Sequence, residues 1–150
     1  DNTCERLILD ENRWVSIQPL PKAVSCLSVI VIEDANSLYA LGGCHRMADL
    51  DLIQRLSFDR LAWDVLPLKL PYPVLNIACF KINTSRAYFF IKQTLYCFDP
   101  QAVTIQQLMT LKSSTQILSN GSPAYYEDGH LFFCSPKGEA NCIELGRISC

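Results

Sequence analysis

Short runs of β-branched and aromatic residues punctuate the chain at 27–32, 37–41, 53–58, 74–82, 87–91, 95–98, 124–126, 131–134 and 142–145. Runs of this length and composition predict β-strands. Between them lie compact polar connectors, Glu33-Asp34-Ala35-Asn36, Asn83-Thr84-Ser85-Arg86 and Glu127-Asp128-Gly129, of the size that joins antiparallel neighbours. No segment sustains apolar residues at i, i+3, i+4 and i+7. The nearest, 48–58, has Asp49, Asp51 and Arg55 among its apolar positions and reads as a loop followed by a strand. The pattern predicts an all-β protein.

The polar and apolar pattern also repeats. Arg6-Leu7-Ile8-Leu9-Asp10-Glu11-Asn12-Arg13-Trp14 matches Arg55-Leu56-Ser57-Phe58-Asp59-Arg60-Leu61-Ala62-Trp63, and a third copy runs from Tyr96 through Asp99 to Ile105. A weak fourth copy is Asn141-Cys142-Ile143-Glu144-Leu145. Predicted hairpins at 29–41, 77–91 and 124–134 precede the later copies. The repeats predict three four-stranded units, at 15–62, 63–102 and 103–150, after a lone outer strand of an incomplete unit within 1–14. Each unit has two apolar faces and must stack against its neighbours to bury them.

The first full unit resembles the Kelch repeat. Leu38-Tyr39-Ala40-Leu41-Gly42-Gly43 supplies a strand ending in a glycine doublet, Phe58-Asp59 an aromatic-acid pair, and Trp63 the tryptophan shortly beyond. The second unit keeps Phe98-Asp99-Pro100 but has Ile91-Lys92-Gln93 at the doublet and Ile105 in the tryptophan's place. In the third, Phe133-Cys134-Ser135 replaces the doublet. The resemblance implies a β-propeller, here a partial ring of about three four-stranded Kelch-type blades in one domain. It makes Gly42, Gly43, Trp14, Trp63, Phe58, Asp59, Phe98 and Asp99 structural. Adjacent glycines permit positive φ and close approach of a neighbour. Trp14 and Trp63 are expected at equivalent blade junctions, each more than half buried, because a large ring fills the wedge between blades. Known propellers close with four to eight blades. Three blades therefore imply a larger assembly, completed by blades of the same or another chain.

Composition narrows the partners. With 49% apolar and 19% charged residues the 150-residue chain is globular, and a net charge of −2 offers no basic stripe for nucleic acid. No apolar run approaches the roughly 18 residues of a membrane-spanning helix, so no membrane insertion is expected. The eight cysteines contain no C-x-x-C pair, which argues against a zinc site. Several, such as Cys79 and Cys97, sit in apolar runs as small buried hydrophobes, predicting mostly free thiols and a cytoplasmic setting. The sequons at Asn83 and Asn120 lie in turn-like sequence and read equally well as turn residues.

Little catalytic chemistry is visible. His45 and His130 stand in no metal-ligand spacing, and there is no nucleophile elbow, phosphate loop or Cys-His signature. The expectation is no catalytic residue, no metal and no cofactor. The most distinctive loop carries Cys44, His45, Arg46, Asp49 and Asp51, and is predicted to bind a protein partner on a rigid scaffold. The alternative is a fragment of a Kelch-like propeller enzyme, of oxidase or mutarotase type, whose site is completed by other blades.

Overall fold

The computed structural model describes residues 2–111, 124–134 and 140–148. Among them there is no helix. The strands are β1 (Cys4–Ile8), β2 (Arg13–Ile17), β3 (Ser28–Ile32), β4 (Ser37–Leu41), β5 (Cys44–His45), β6 (Ala48–Asp49), β7 (Ile53–Ser57), β8 (Ala62–Val65), β9 (Ala78–Phe80), β10 (Ala87–Ile91), β11 (Thr94–Asp99), β12 (Thr104–Thr110), β13 (Ala124–Glu127), β14 (His130–Cys134) and β15 (Ala140–Glu144). All pairs are antiparallel. They form the hairpin β1-β2, the four-stranded meanders β3-β4-β7-β8 and β9-β10-β11-β12, the three-stranded β13-β14-β15, and the small hairpin β5-β6.

The hydrogen-bonded units differ from the expected divisions. Division at 14/15 cuts β2, division at 62/63 cuts β8 from within, and division at 102/103 separates β12 from β11, its partner. In each case the strand after the Asp turn folds back onto the strand before it and closes that sheet rather than opening the next. The lone N-terminal strand is likewise a paired hairpin, and the last sheet has three strands among the described residues rather than four.

Alternation within each strand gives every sheet two faces, and these stack in series. Residues Ile30, Ile32, Tyr39, Leu41 and Ile53 pack against Ala87, Phe89, Ile91, Tyr96 and Phe98 of the following sheet. Tyr39 meets Phe98 edge to face, with centroids 5.1 Å apart, the arrangement that ring quadrupoles favour. The opposite face of that sheet, with Phe80, Tyr88, Phe90, Leu95 and Cys97, packs on Leu131, Phe133 and Leu145. On the other side of the first meander, Ala40, Leu56 and Trp63 pack with Cys4 and Ile17 of the N-terminal hairpin. The first strands also draw together, β3 lying next to β9 and β9 next to β13. No closed ring is formed among the described residues.

Trp14 departs from expectation. It pairs across its hairpin with Leu7 just as Trp63 pairs with Leu56, so the two rings occupy equivalent register positions. Yet Trp63 is 8% exposed and Trp14 62%. The face carrying Trp63 is covered by the β1-β2 hairpin, whereas no sheet among the described residues covers the face carrying Trp14. Phe58, expected to be structural, is also partly exposed at its turn, while Phe98 is fully buried.

Most of the described cysteines are free, as expected, but Cys97, read from its apolar run as a buried free thiol, is disulfide-bonded. Cys4, Cys26, Cys44, Cys79, Cys134 and Cys142 are free thiols.

Replacing Trp63 with Ala should cost about 3 to 5 kcal/mol in urea denaturation. The same change at Trp14 should cost under about 1 kcal/mol, because its ring already faces solvent. Trp63→Phe should be milder than Trp63→Ala, since the indole Nε1 is buried without an acceptor among the described residues and contributes no hydrogen bond.

Candidate interaction loop

The loop is built on Gly42 and Gly43, with φ of 62° and 97°. A Cβ on Gly42 would lie 2.3 Å from the Val74 carbonyl oxygen, and one on Gly43 2.8 Å from that of Ser25. Both positions therefore need glycine for conformation and for space. The backbone that passes so close is also bonded there. Gly43 N–H donates to Val74 O at 2.9 Å, Gly42 N–H to Leu52 O at 2.8 Å, and Leu50 N–H to Gly43 O at 2.8 Å.

From this base the chain rises into β5 and β6. Cys44 pairs with Asp49 and His45 with Ala48, leaving Arg46 and Met47 as a two-residue turn. Their φ values are 49° and 67°, the left-handed pair that a tight hairpin demands and that Asn-Gly fills without strain. Arg and Met there store strain of order 1 kcal/mol or more each. The root resists relaxation, since Ser25 and Cys44 exchange backbone hydrogen bonds of 2.9 and 2.8 Å.

The five residues singled out in the sequence occupy different settings. Cys44, His45, Arg46 and Asp49 belong to the small hairpin. The His45 ring is tied down, its Nδ1–H donating to the Ala23 carbonyl at 2.7 Å, which leaves Nε2 as the other ring nitrogen. Asp51 lies beyond the hairpin and accepts from Lys69 Nζ at 2.9 and 3.1 Å, so it braces the connection after β8 rather than joining the tip. Among the described residues no group of three His, Cys, Asp or Glu side chains is placed to hold a metal. The residue that sequence reasoning omitted is Met47, 98% exposed at the apex. Its signal was available: a methionine directly after His45 and Arg46, in a loop too short to bury it.

A polar cleft opens at the other ends of the strands, lined by Asp34, Tyr39, Arg55, Arg86 and Asp99. Both of its arginines are paired with carboxylates. Arg55 donates to Asp64 at 2.7 Å and Arg86 Nε to Asp99 at 3.0 Å. Hydrogen bonds from Arg55 and Arg60 hold the Asp64 carboxyl below its ordinary range. Asp99 is lowered by the Ala102 backbone N–H first, then by Arg86 and the Gln101 N–H. Asp99 thus caps the β11-β12 turn. Asp59, its counterpart in the repeat, accepts instead from Asn36 at 2.7 Å.

No family model matches the chain, and comparison with curated proteins gave no match.

The double change Arg46→Asn and Met47→Gly should raise stability by about 0.5 to 1 kcal/mol by relieving the turn, read as a higher denaturation midpoint. Gly42→Ala should cost more than about 2 kcal/mol, because Val74 must move. The depressed Asp99 carboxyl contributes stability that is full above the unfolded aspartate pKa of roughly 4 and is lost as pH falls through its lower folded value. Asp99→Asn should therefore flatten the acid limb of a stability-versus-pH curve.

Proposed function

We propose that the chain is a segment of a Kelch-type β-propeller and acts as a non-catalytic interaction scaffold within a larger assembly, presenting the Cys44–His45 and Ala48–Asp49 hairpin to a protein partner. The observation that carries this reading is the hairpin tip. A fully exposed Met47 is held in a strained turn on a base fixed by Gly42, Gly43, Ser25 and Val74. A flexible thioether adapts to irregular apolar pockets, and strain kept at an exposed site is characteristic of recognition elements.

The serial stacking of sheets supports the propeller part of the reading. Their first strands adjoin, and the uncovered Trp14 repeats the register of the covered Trp63. Within that frame, 15–62, 63–102 and 103–150 remain the repeat units of sequence, and the exposed outer faces account for the requirement for further blades. Exposed thiols at Cys26, Cys134 and Cys142 favour a reducing compartment such as the cytoplasm, whereas the disulfide at Cys97 weighs against one.

The test is capture of partners from native lysate by the tagged chain, quantified by mass spectrometry. Substituting His45, Arg46 and Asp49 together by Ala should lower the recovery of specific partners about tenfold or more. The Arg46→Asn/Met47→Gly variant should lose the same partners while folding more stably. Unchanged recovery with both variants would overturn the loop assignment.

A further inference from the structure

We propose that Met47 is a redox modification site: a hydroperoxide oxidises its thioether to the sulfoxide, and the oxidised hairpin tip releases the protein partner that the reduced tip binds. This rests on the loop reading and names the regulation of that same site.

The chain has two methionines, and they stand in opposite settings. Met47 is 98% exposed at the apex of the β5-β6 turn, whereas Met109 is 37% exposed in β12, paired opposite Leu95. Oxidation of a methionine follows the access of the oxidant to its sulfur. At the apex that access is open, because β5 and β6 are two residues each and carry no neighbouring strand over the turn.

The step balances without any group from the protein. The sulfur attacks one oxygen of the hydroperoxide, an S–O bond forms as the O–O bond breaks, and the thioether loses two electrons. The second oxygen leaves as water or an alcohol, carrying the proton of the hydroperoxide. A dithiol reductase reverses the change, releasing the oxygen as water while the dithiol closes to a disulfide.

Oxidation changes what the tip offers and nothing that holds it. The thioether is apolar and adapts to irregular pockets; the sulfoxide is polar and chiral. A pocket fitted to the first must bury an acceptor oxygen to take the second, and affinity falls. The root of the hairpin is bonded through other atoms. Ser25 and Cys44 exchange backbone hydrogen bonds, Leu50 N–H donates to Gly43 O, and His45 Nδ1–H donates to Ala23 O. The oxidation state of one sulfur therefore sets binding without setting stability. Exposed thiols at Cys26, Cys134 and Cys142 also meet oxidants, but none lies in the hairpin, and Cys44 is half-buried at its root.

The test starts with hydrogen peroxide on the native chain, read by peptide mapping. Met47 should convert about two to three times faster than Met109, following exposure; equal or slower conversion sinks the proposal. Met109→Leu, a change of similar volume, then leaves Met47 as the only methionine. Fully oxidised, this variant should keep its thermal midpoint. From native lysate it should recover about tenfold less of the partners that Arg46→Asn/Met47→Gly loses. Methionine sulfoxide reductases supplied with a dithiol should restore recovery, and the dithiol alone should not. Undiminished recovery after full conversion would overturn the proposal. Restoration by the dithiol alone would do so too, by placing the switch on thiols, as would a lowered midpoint that the reductases restore, by making the effect one of folding. Retention of every partner by Arg46→Asn/Met47→Gly is a separate failure, that of the loop assignment, and takes this proposal with it.

Discussion

The approach of the Val74 carbonyl to Gly42 sets the path of the chain between the two four-stranded sheets. A side chain at 42 would occupy the space that Val74 O fills, and one at 43 would meet Ser25. Because neither is present, three separate stretches share one patch of backbone hydrogen bonds. Val74 N–H donates to Leu50 O, Leu70 N–H to Asp51 O, and Asn76 N–H to Cys26 O. The connection leaving β8 is thereby held against the end of β4 before it enters β9. Stacking of the aromatic faces of the two sheets follows from that position, and so does the fixed root of the small hairpin. A methyl group at 42 would be felt in both.

How much of this was legible in the sequence depends on which strand is considered. Inner strands such as β4 and β10 were predicted with their observed ends, because Leu38-Tyr39-Ala40-Leu41 and Tyr88-Phe89-Phe90-Ile91 are buried on both faces and read as continuous apolar runs. The outer strands β8 and β12 were not recognised as strands. Gln106 and Gln107 in β12 face solvent and carry no apolar signal, and pairing with β11 alone holds them extended. The Trp14 error has a similar origin. The repeat fixed its register correctly, but burial belongs to whatever stands opposite, and that is not written in the nine residues around the ring.

The Asp turns show how one backbone shape outlasts the residues best suited to it. Asn12, Leu61 and Val103 all adopt positive φ, of 46°, 49° and 54°, just before the returning strand. Only Asn is at ease there; for Leu and for β-branched Val the left-handed region is unfavourable. The strands on either side therefore impose the turn. Leu56 and Trp63 are bonded across one such turn, and Phe98 and Ile105 across another. Both pairs bury their rings or branches in a sheet junction, and that burial outweighs a local cost of about 1 to 3 kcal/mol. A propensity reading of Leu61 or Val103 alone points the other way.

The same comparison separates scaffold strain from the strain at Arg46 and Met47. At Leu61 and Val103 an unfavourable φ accompanies buried partners on the flanking strands, so the fold recovers the cost through packing. At the β5-β6 tip nothing is recovered: β5 and β6 are two residues each, Met47 is almost entirely exposed, and the turn touches solvent. The cost there is sustained by the bonded base at Ser25, Gly42, Gly43 and Leu50 and by the bond from His45 to Ala23. A structural element that is strained, unpacked and yet rigidly rooted contributes nothing to stability that a simpler Asn-Gly turn would not contribute better. On the proposed reading, this strained projection of Arg46 and Met47 is what the chain offers to a partner.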